Sequence, residues 1–178
     1  TREPGGTVLG QDIRNWLLHQ RSLAPWTELL LFMADRCQHI EEVIAPAIKR
    51  GQIVLCDRFI DSTVAYQHAG RGFDVQTIHT LHDWTLQGIV PDLTIFLDVD
   101  VTVGLARARR ASQALHDKFE ALDLAFHERV RTCFEELARL NPDRFRKVDT
   151  STLDKDQVQA RVIEQLNAFM FMRGISGG

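Results

Sequence analysis

Residues 53–56, Ile-Val-Leu-Cys, run directly into Asp57 and Arg58, and this junction constrains the fold more than any other stretch of the chain. Four apolar residues in a row suit a strand buried on both faces of a parallel sheet. In open α/β sheets, ligands bind in the crevice beyond the carboxyl ends of the strands. An acid at that position orients a metal or its waters, and an arginine clamps a phosphate with a planar fork of donors. A second strand is expected after Pro91-Asp92, where residues 93–97 are apolar except for Thr94 and end at Asp98; a third is residues 145–148. Between them the spacing predicts helices over 9–19, 25–50, 62–68, 75–86, 102–110, 122–140 and 154–172. Pro46 is expected to kink or end the long helix, and Gly51 to stop it. The alternation predicts an α/β domain, a parallel sheet with helices on both faces. Only three strands are legible, with Thr1 standing at the end of a further one.

At 178 residues the chain fits one domain. A net charge of −3 and a pI near 6.1 leave no basic footprint for nucleic acid. Phosphate chemistry must therefore come from local arginine clusters. Cys37, Cys56 and Cys133 are widely spaced, with no CxxC and no Cys/His pattern for zinc, which points to a reduced, cytoplasmic protein. No apolar run reaches the roughly 18–20 residues that span a bilayer. The seven histidines are scattered, and none is read as a metal ligand.

Four constellations carry candidate chemistry. In Thr1-Arg2-Glu3-Pro4-Gly5-Gly6-Thr7, with Arg14 on the helix behind, the glycines allow close backbone approach, and Glu3 and Arg14 are polar candidates. The same residues also suit an ordinary turn. Phe32 and Arg36 are spaced i, i+4 on one helix face. They suit a nucleobase, one stacking and one bonding a carbonyl oxygen, but equally a core Phe beside a surface Arg. After Asp57 and Arg58 come Ser62, Thr63 and Gln67, able to bond a base edge, and Tyr66, able to crowd a sugar; a strand followed by a helix cap, with Asp57 and Arg58 as an ion pair, remains open. Arg107, Arg109 and Arg110, before Asp117-Lys118-Phe119-Glu120, can fold over a polyphosphate on a mobile segment, or form a solvated basic face.

Taken in order, TREPGG with Arg14, LLLFMADRCQHIEEVIAPAIKRG, DRFIDSTVAYQ, GRG and PDLTIFLDVD resemble the bacterial thymidylate kinase family, from Thr1 to at least Val148. The resemblance implies a P-loop nucleoside-monophosphate-kinase-like three-layer fold. It implies phosphoryl transfer from Mg·ATP to dTMP, giving dTDP and ADP. It also implies a cytoplasmic homodimer with no nucleic-acid or membrane partner. Glu3 matches the acid near the nucleotide sugar, and Arg14 and Arg58 the phosphate-contacting arginines. Phe32 matches the aromatic that stacks on thymine and Arg36 the arginine on its exocyclic oxygen. Ser62, Thr63 and Gln67 match polar residues at the base edge, Tyr66 the tyrosine under the deoxyribose, and Asp57 the acid near magnesium. Arg107, Arg109 and Arg110 resemble catalytic lid arginines, with a lid over about 107–121 and a tail over 174–178.

Two departures stand out. Lys118 stands where many relatives carry arginine, which keeps the charge and loses the fork. No stretch of the 178 residues matches G-x-x-x-x-G-K-[ST], the loop that cradles ATP phosphates. The expectation is a chain lacking the first strand and phosphate loop, truncated before TREPGG and inactive alone. Another kinase of the same fold, or a non-catalytic nucleotide-binding fragment, are the alternatives.

Overall fold

The computed structural model describes residues 1–19, 23–111 and 122–174. Residues 112–121 of the lid expected over about 107–121, with Lys118, and the last four residues of the tail lie outside them. Among the described residues, eight α-helices and two strands follow in chain order: α1 (Val8–His19), α2 (Pro25–His39), α3 (Ala45–Lys49), α4 (Ile60–Thr63), α5 (Val75–Thr85), β1 (Thr94–Asp98), α6 (Val101–Ala111), α7 (Leu124–Leu140), β2 (Phe145–Asp149) and α8 (Lys155–Met172).

β1 and β2 pair in parallel, Thr94 opposite Phe145 through to Asp98 opposite Asp149. Side chains alternate across a strand, and the two faces of β1 meet different helices. Phe96 stacks on Phe134 of α7 at 5.3 Å, and Asp98 binds Arg131 of α7. Leu97, on the opposite face, lines a cavity with Val158 of α8. The sheet is thus covered by helices on both faces.

Residues 53–56 depart from the expected buried strand. Ile53 is 64% and Leu55 68% exposed, and the segment makes one isolated parallel bridge, Arg2 with Asp57. The Thr1 amine donates to the Leu55 carbonyl at 2.8 Å, Asp57 N–H to Thr1 at 3.0 Å, and Glu3 N–H to Asp57 at 2.9 Å. Pairing thus runs along one edge only. Among the described residues no strand pairs with the other edge, and the alternate side chains stay in solvent.

Helices 25–50 and 60–70 are each broken by a π segment. Ile40–Ile44 closes with Ala45 N–H donating to Ile40, five residues back. Pro46 follows directly; it has no N–H, and its ring crowds the carbonyl four residues earlier, so the chain takes a wider turn there. Val64–Gly70 is the second π segment, with Arg71 N–H reaching the Tyr66 carbonyl at 3.0 Å. Of the expected apolar face of the long helix, Leu29, Met33, Ile40 and Ile44 are buried. Phe32 and Val43 are half-buried, and Leu30 is exposed. Leu29 and Met33 pack with Val64 and Ile78, joining α2, the second π segment and α5.

Candidate functional site

The first seven residues fold as a turn against α2. Gly5 has φ +108°, a conformation that costs glycine little. A methyl group at Gly6 would lie 2.5 Å from the His39 ring, and one at Gly10 would collide with the Asp35 carboxylate. Glycine at these places therefore lets the turn and α1 approach α2 closely enough for polar contacts. Asp35 Oδ1 accepts from Gly5 N–H at 3.0 Å, and Arg14 donates to the Pro4 carbonyl at 2.9 Å.

A buried polar cluster forms where this turn, α2, α4 and α5 meet. Glu3 is 4% and Arg36 2% exposed. Arg36 Nε donates to Glu3 Oε2 at 2.9 Å, and Nη2 also lies 2.9 Å from that oxygen. Nη2 donates to Thr63 Oγ1 at 3.1 Å, and Nη1 to His82 Nε2 at 3.0 Å. Glu3 Oε1 lies 2.9 Å from His39 Nδ1, and His39 Nε2 reaches the Thr1 hydroxyl at 2.6 Å. Phe59 lies under the guanidinium, its centroid 5.1 Å away. Buried charges persist when their hydrogen bonds are this fully made.

Two groups in this cluster titrate far from their ordinary ranges. Burial, reinforced by the Glu3 carboxylate, pushes Asp35 up to about 6, and its Oδ2 has no hydrogen-bond partner. Burial and the neighbouring Arg36 charge hold His82 down to about 3. His82 is therefore a neutral acceptor. Burial pushes the thiols of Cys56 and Cys133 up to about 12 and about 11, so neither is a thiolate nucleophile near neutrality.

The remaining candidate residues fall around this cluster. Phe32, one turn before Arg36, is half-buried against the core of Leu29, Met33, Val64 and Ile78. Thr63 and Gln67 are both 2% exposed; Gln67 Nε2 donates to Glu28 at 3.3 Å, and Ser62 is half-buried. Arg58 lies 5.2 Å from the centroid of the Tyr66 ring. Its backbone sits at φ +64°, a left-handed conformation rare for a long side chain and one that clusters at functional sites. Asp57 is exposed at the end of the bridge to Arg2.

The α6 arginines divide. Arg107 donates to the carbonyls of Thr150, Ser151 and Leu153 at 2.9, 3.1 and 3.4 Å, tying α6 to the loop after β2. Arg109 and Arg110 are exposed in the last turn of α6.

Several structural partners carried no signal in the sequence. Glu28, 2% exposed, takes a forked pair of bonds from Arg71 at 3.2 and 3.1 Å, 43 residues away. Asp61 is gripped by Arg144 at 2.8 and 2.7 Å and by the Thr94 hydroxyl at 2.9 Å, which fixes the start of α4 to the sheet. Asp98 binds Arg131 at 2.7 and 3.0 Å and Lys147 at 2.9 Å. Those donors, Arg131 first, hold its carboxyl below the usual range.

A parallel sheet under helices on both faces, with an acid–arginine pair ending one extended segment, belongs to the P-loop kinase-like class of α/β folds. The thymidylate kinase family profile matches residues 1–162. The thymidylate kinase of Thermomicrobium roseum is 52% identical over 151 residues, spanning 85% of this chain and 71% of its own. That of Kosmotoga olearia is 47% identical over 165 residues, 92% of this chain and 78% of its own. The crystal structure of thymidylate kinase from Ehrlichia chaffeensis superposes with a TM-score of 0.74 at 35% identity, covering 94% of this chain and 78% of that one. The chain belongs to the thymidylate kinase family.

Proposed function

We propose that this chain binds dTMP as phosphoryl acceptor and acts in the transfer of the γ-phosphoryl group of Mg·ATP to it, giving dTDP and ADP. The observation that carries the reading is the state of Arg36. Its guanidinium is buried and anchored by Glu3, Thr63 and His82, one turn from Phe32. A fixed, desolvated donor beside an aromatic face suits thymine, whose exocyclic oxygen accepts where cytosine carries an amino donor. A site built around such a bond discriminates strongly, because the mismatch leaves a buried polar group unpaired.

Glu3 keeps Arg36 oriented and lies toward the sugar; Tyr66 limits room at its 2′ position. Ser62, Thr63 and Gln67 complete the base edge, Thr63 and Gln67 acting through the bonds they make to Arg36 and Glu28. Arg14 and Arg58 take the acceptor phosphate. A dTMP phosphate oxygen, already anionic near neutrality, forms the new bond to the γ phosphorus as the bond to the ADP oxygen breaks. No strong base is needed, and catalysis consists of positioning and charge neutralisation.

Arg109 and Arg110 neutralise charge on the donor phosphates, with Arg107 the third arginine of the set. A cavity of about 470 Å³ beyond the ends of β1 and β2, lined by Leu97, Arg107, Thr150, Leu153 and Val158, suits the ATP side. Among the described residues no cluster of three His, Cys, Asp or Glu could hold a metal ion. Magnesium commonly binds through one or two carboxylates, waters and substrate phosphates. The exposed Asp57 fits that arrangement, and Mg²⁺ bound there would neutralise phosphate charge. No described helix is long and apolar enough to cross a membrane. A homodimer is part of the reading: α2 keeps Trp26 and Leu30 about half exposed (53% and 51%), available to a second copy.

Incubation with Mg²⁺, ATP and a panel of nucleoside monophosphates, with acceptor binding measured in parallel, tests the reading. dTMP is expected to bind in preference to dCMP. Preference for another acceptor, or no selective binding of dTMP, would overturn it.

A further inference from the structure

We infer that His82 is a positioning residue for base recognition: by accepting one Nη1–H of Arg36, it fixes the plane of the guanidinium and leaves the second Nη1–H for the base. The inference rests on the reading of Arg36 as the base-binding arginine.

The guanidinium has five N–H groups and no acceptor. Glu3 Oε2 faces the Nε–Nη2 edge, taking the Nε bond and lying 2.9 Å from Nη2. Thr63 takes an Nη2–H. Both anchors hold one side of the fork. On Nη1 the single bond to a described residue is the 3.0 Å contact with His82 Nε2. Arginine can only donate, so Nε2 carries no proton and the ring proton resides on Nδ1. His82 is 5% exposed, in the last turn of α5. It is held beside Thr85, whose hydroxyl bonds back to the Leu81 carbonyl at 2.8 Å, and one helical turn after the fully buried Ile78.

Without His82 the guanidinium keeps only the contacts on the Glu3 and Thr63 side. Nη1 becomes a buried donor with two unmet bonds, and the fork can turn toward the carboxylate. Both changes weaken a ligand that depends on the angle of one Nη1–H. A neutral imidazole is suited to this place, because it accepts without adding a second cation beside Arg36.

The test is titration calorimetry with dTMP and dCMP on wild type, Arg36→Ala, His82→Phe, His82→Leu and His82→Gln, with melting temperatures as the control on folding. His82→Phe keeps the ring volume and removes the acceptor; His82→Gln restores an acceptor of similar reach. His82→Phe is expected to lose roughly tenfold in dTMP affinity, the scale of one hydrogen bond to a charged group. Its dTMP/dCMP ratio should narrow to match. His82→Gln should recover most of both, although its melting temperature need not exceed that of the Phe variant. If the Phe variant does not fold, the Leu variant against Gln makes the same comparison. A wild-type ratio in a folded Phe or Leu variant, with Arg36→Ala having lost it, would overturn the role of His82 while the reading of Arg36 stands. A wild-type ratio in Arg36→Ala would overturn that reading, and the inference with it.

Discussion

Asp35 and His82 should pull the pH dependence of stability in opposite directions across the same window. Asp35 is fully buried, and its carboxyl is raised from 3.8 to about 6. Between those values the folded chain holds a proton that the unfolded chain has released. Stability attributable to Asp35 is therefore present at acid pH and falls as pH rises from about 4 to 6, at about 1.4 kcal/mol per unit. His82 is lowered from 6.5 to about 3. There the unfolded chain binds the extra proton, so its contribution rises with pH over about 3 to 6.5, with the same slope. Asp35→Asn keeps an oxygen for Gly5 N–H and removes one titration; His82→Gln does the same for Arg36. Relative to wild type, Asp35→Asn should gain about 1.4 kcal/mol per pH unit between 4 and 6, roughly 3 kcal/mol across the window. For a chain of this length that is about 3–5 °C in melting temperature per unit. His82→Gln should diverge with the opposite sign. The assay is urea or thermal unfolding at half-unit pH steps. Curves parallel to wild type for either variant would refute the burial argument for that residue.

Arg144→Ala should cost about 3 kcal/mol and lower the melting temperature by about 6–12 °C, because it leaves the Asp61 carboxylate buried without its fork; adding Asp61→Ala should restore part of the loss. A loss under about 1 kcal/mol would place the pair with ordinary surface ion pairs. Arg58→Gly and Arg58→Ala should both weaken dTMP binding, but the glycine variant should be about 1 kcal/mol more stable than the alanine one, since only glycine relieves φ +64°. Equal stabilities in denaturant melts would contradict that. Gly6→Ala should destabilise by about 1–3 kcal/mol, because the added methyl meets the buried His39 ring at 2.5 Å; a neutral melt would show that the ring moves freely.

What the sequence made legible follows its local physics. β1 stands out because a largely apolar run follows the turn residues Pro91-Asp92; β2 is fainter, with only Phe145 and Val148 apolar around Arg146 and Lys147 after Asn141-Pro142. The expected start of the last helix, at residue 154, lies within one residue of the observed one, and there the structure shows Asp154 and Gln157 forming a capping box. The π segments were not legible: their apolar residues keep a roughly helical spacing, and the extra residue per turn is imposed by Pro46 and by packing. Residues 53–56 read as a buried strand because composition reports that a run is apolar, not which neighbours cover it. Phe32 and Arg36 were visible as a pair because i, i+4 fixes a shared face. The partners of Arg36 were not. His82 and Glu3 lie 46 and 33 residues from it, distances at which only the folded chain brings groups together.

The most direct measurement is the ratio of dTMP to dCMP affinity in wild type and in Arg36→Ala. A buried donor matched to a base oxygen predicts a strong preference for dTMP in wild type and its collapse in the variant, by about tenfold or more. Equal affinities in wild type, or an undiminished preference in Arg36→Ala, would contradict the assignment of this pocket to thymine.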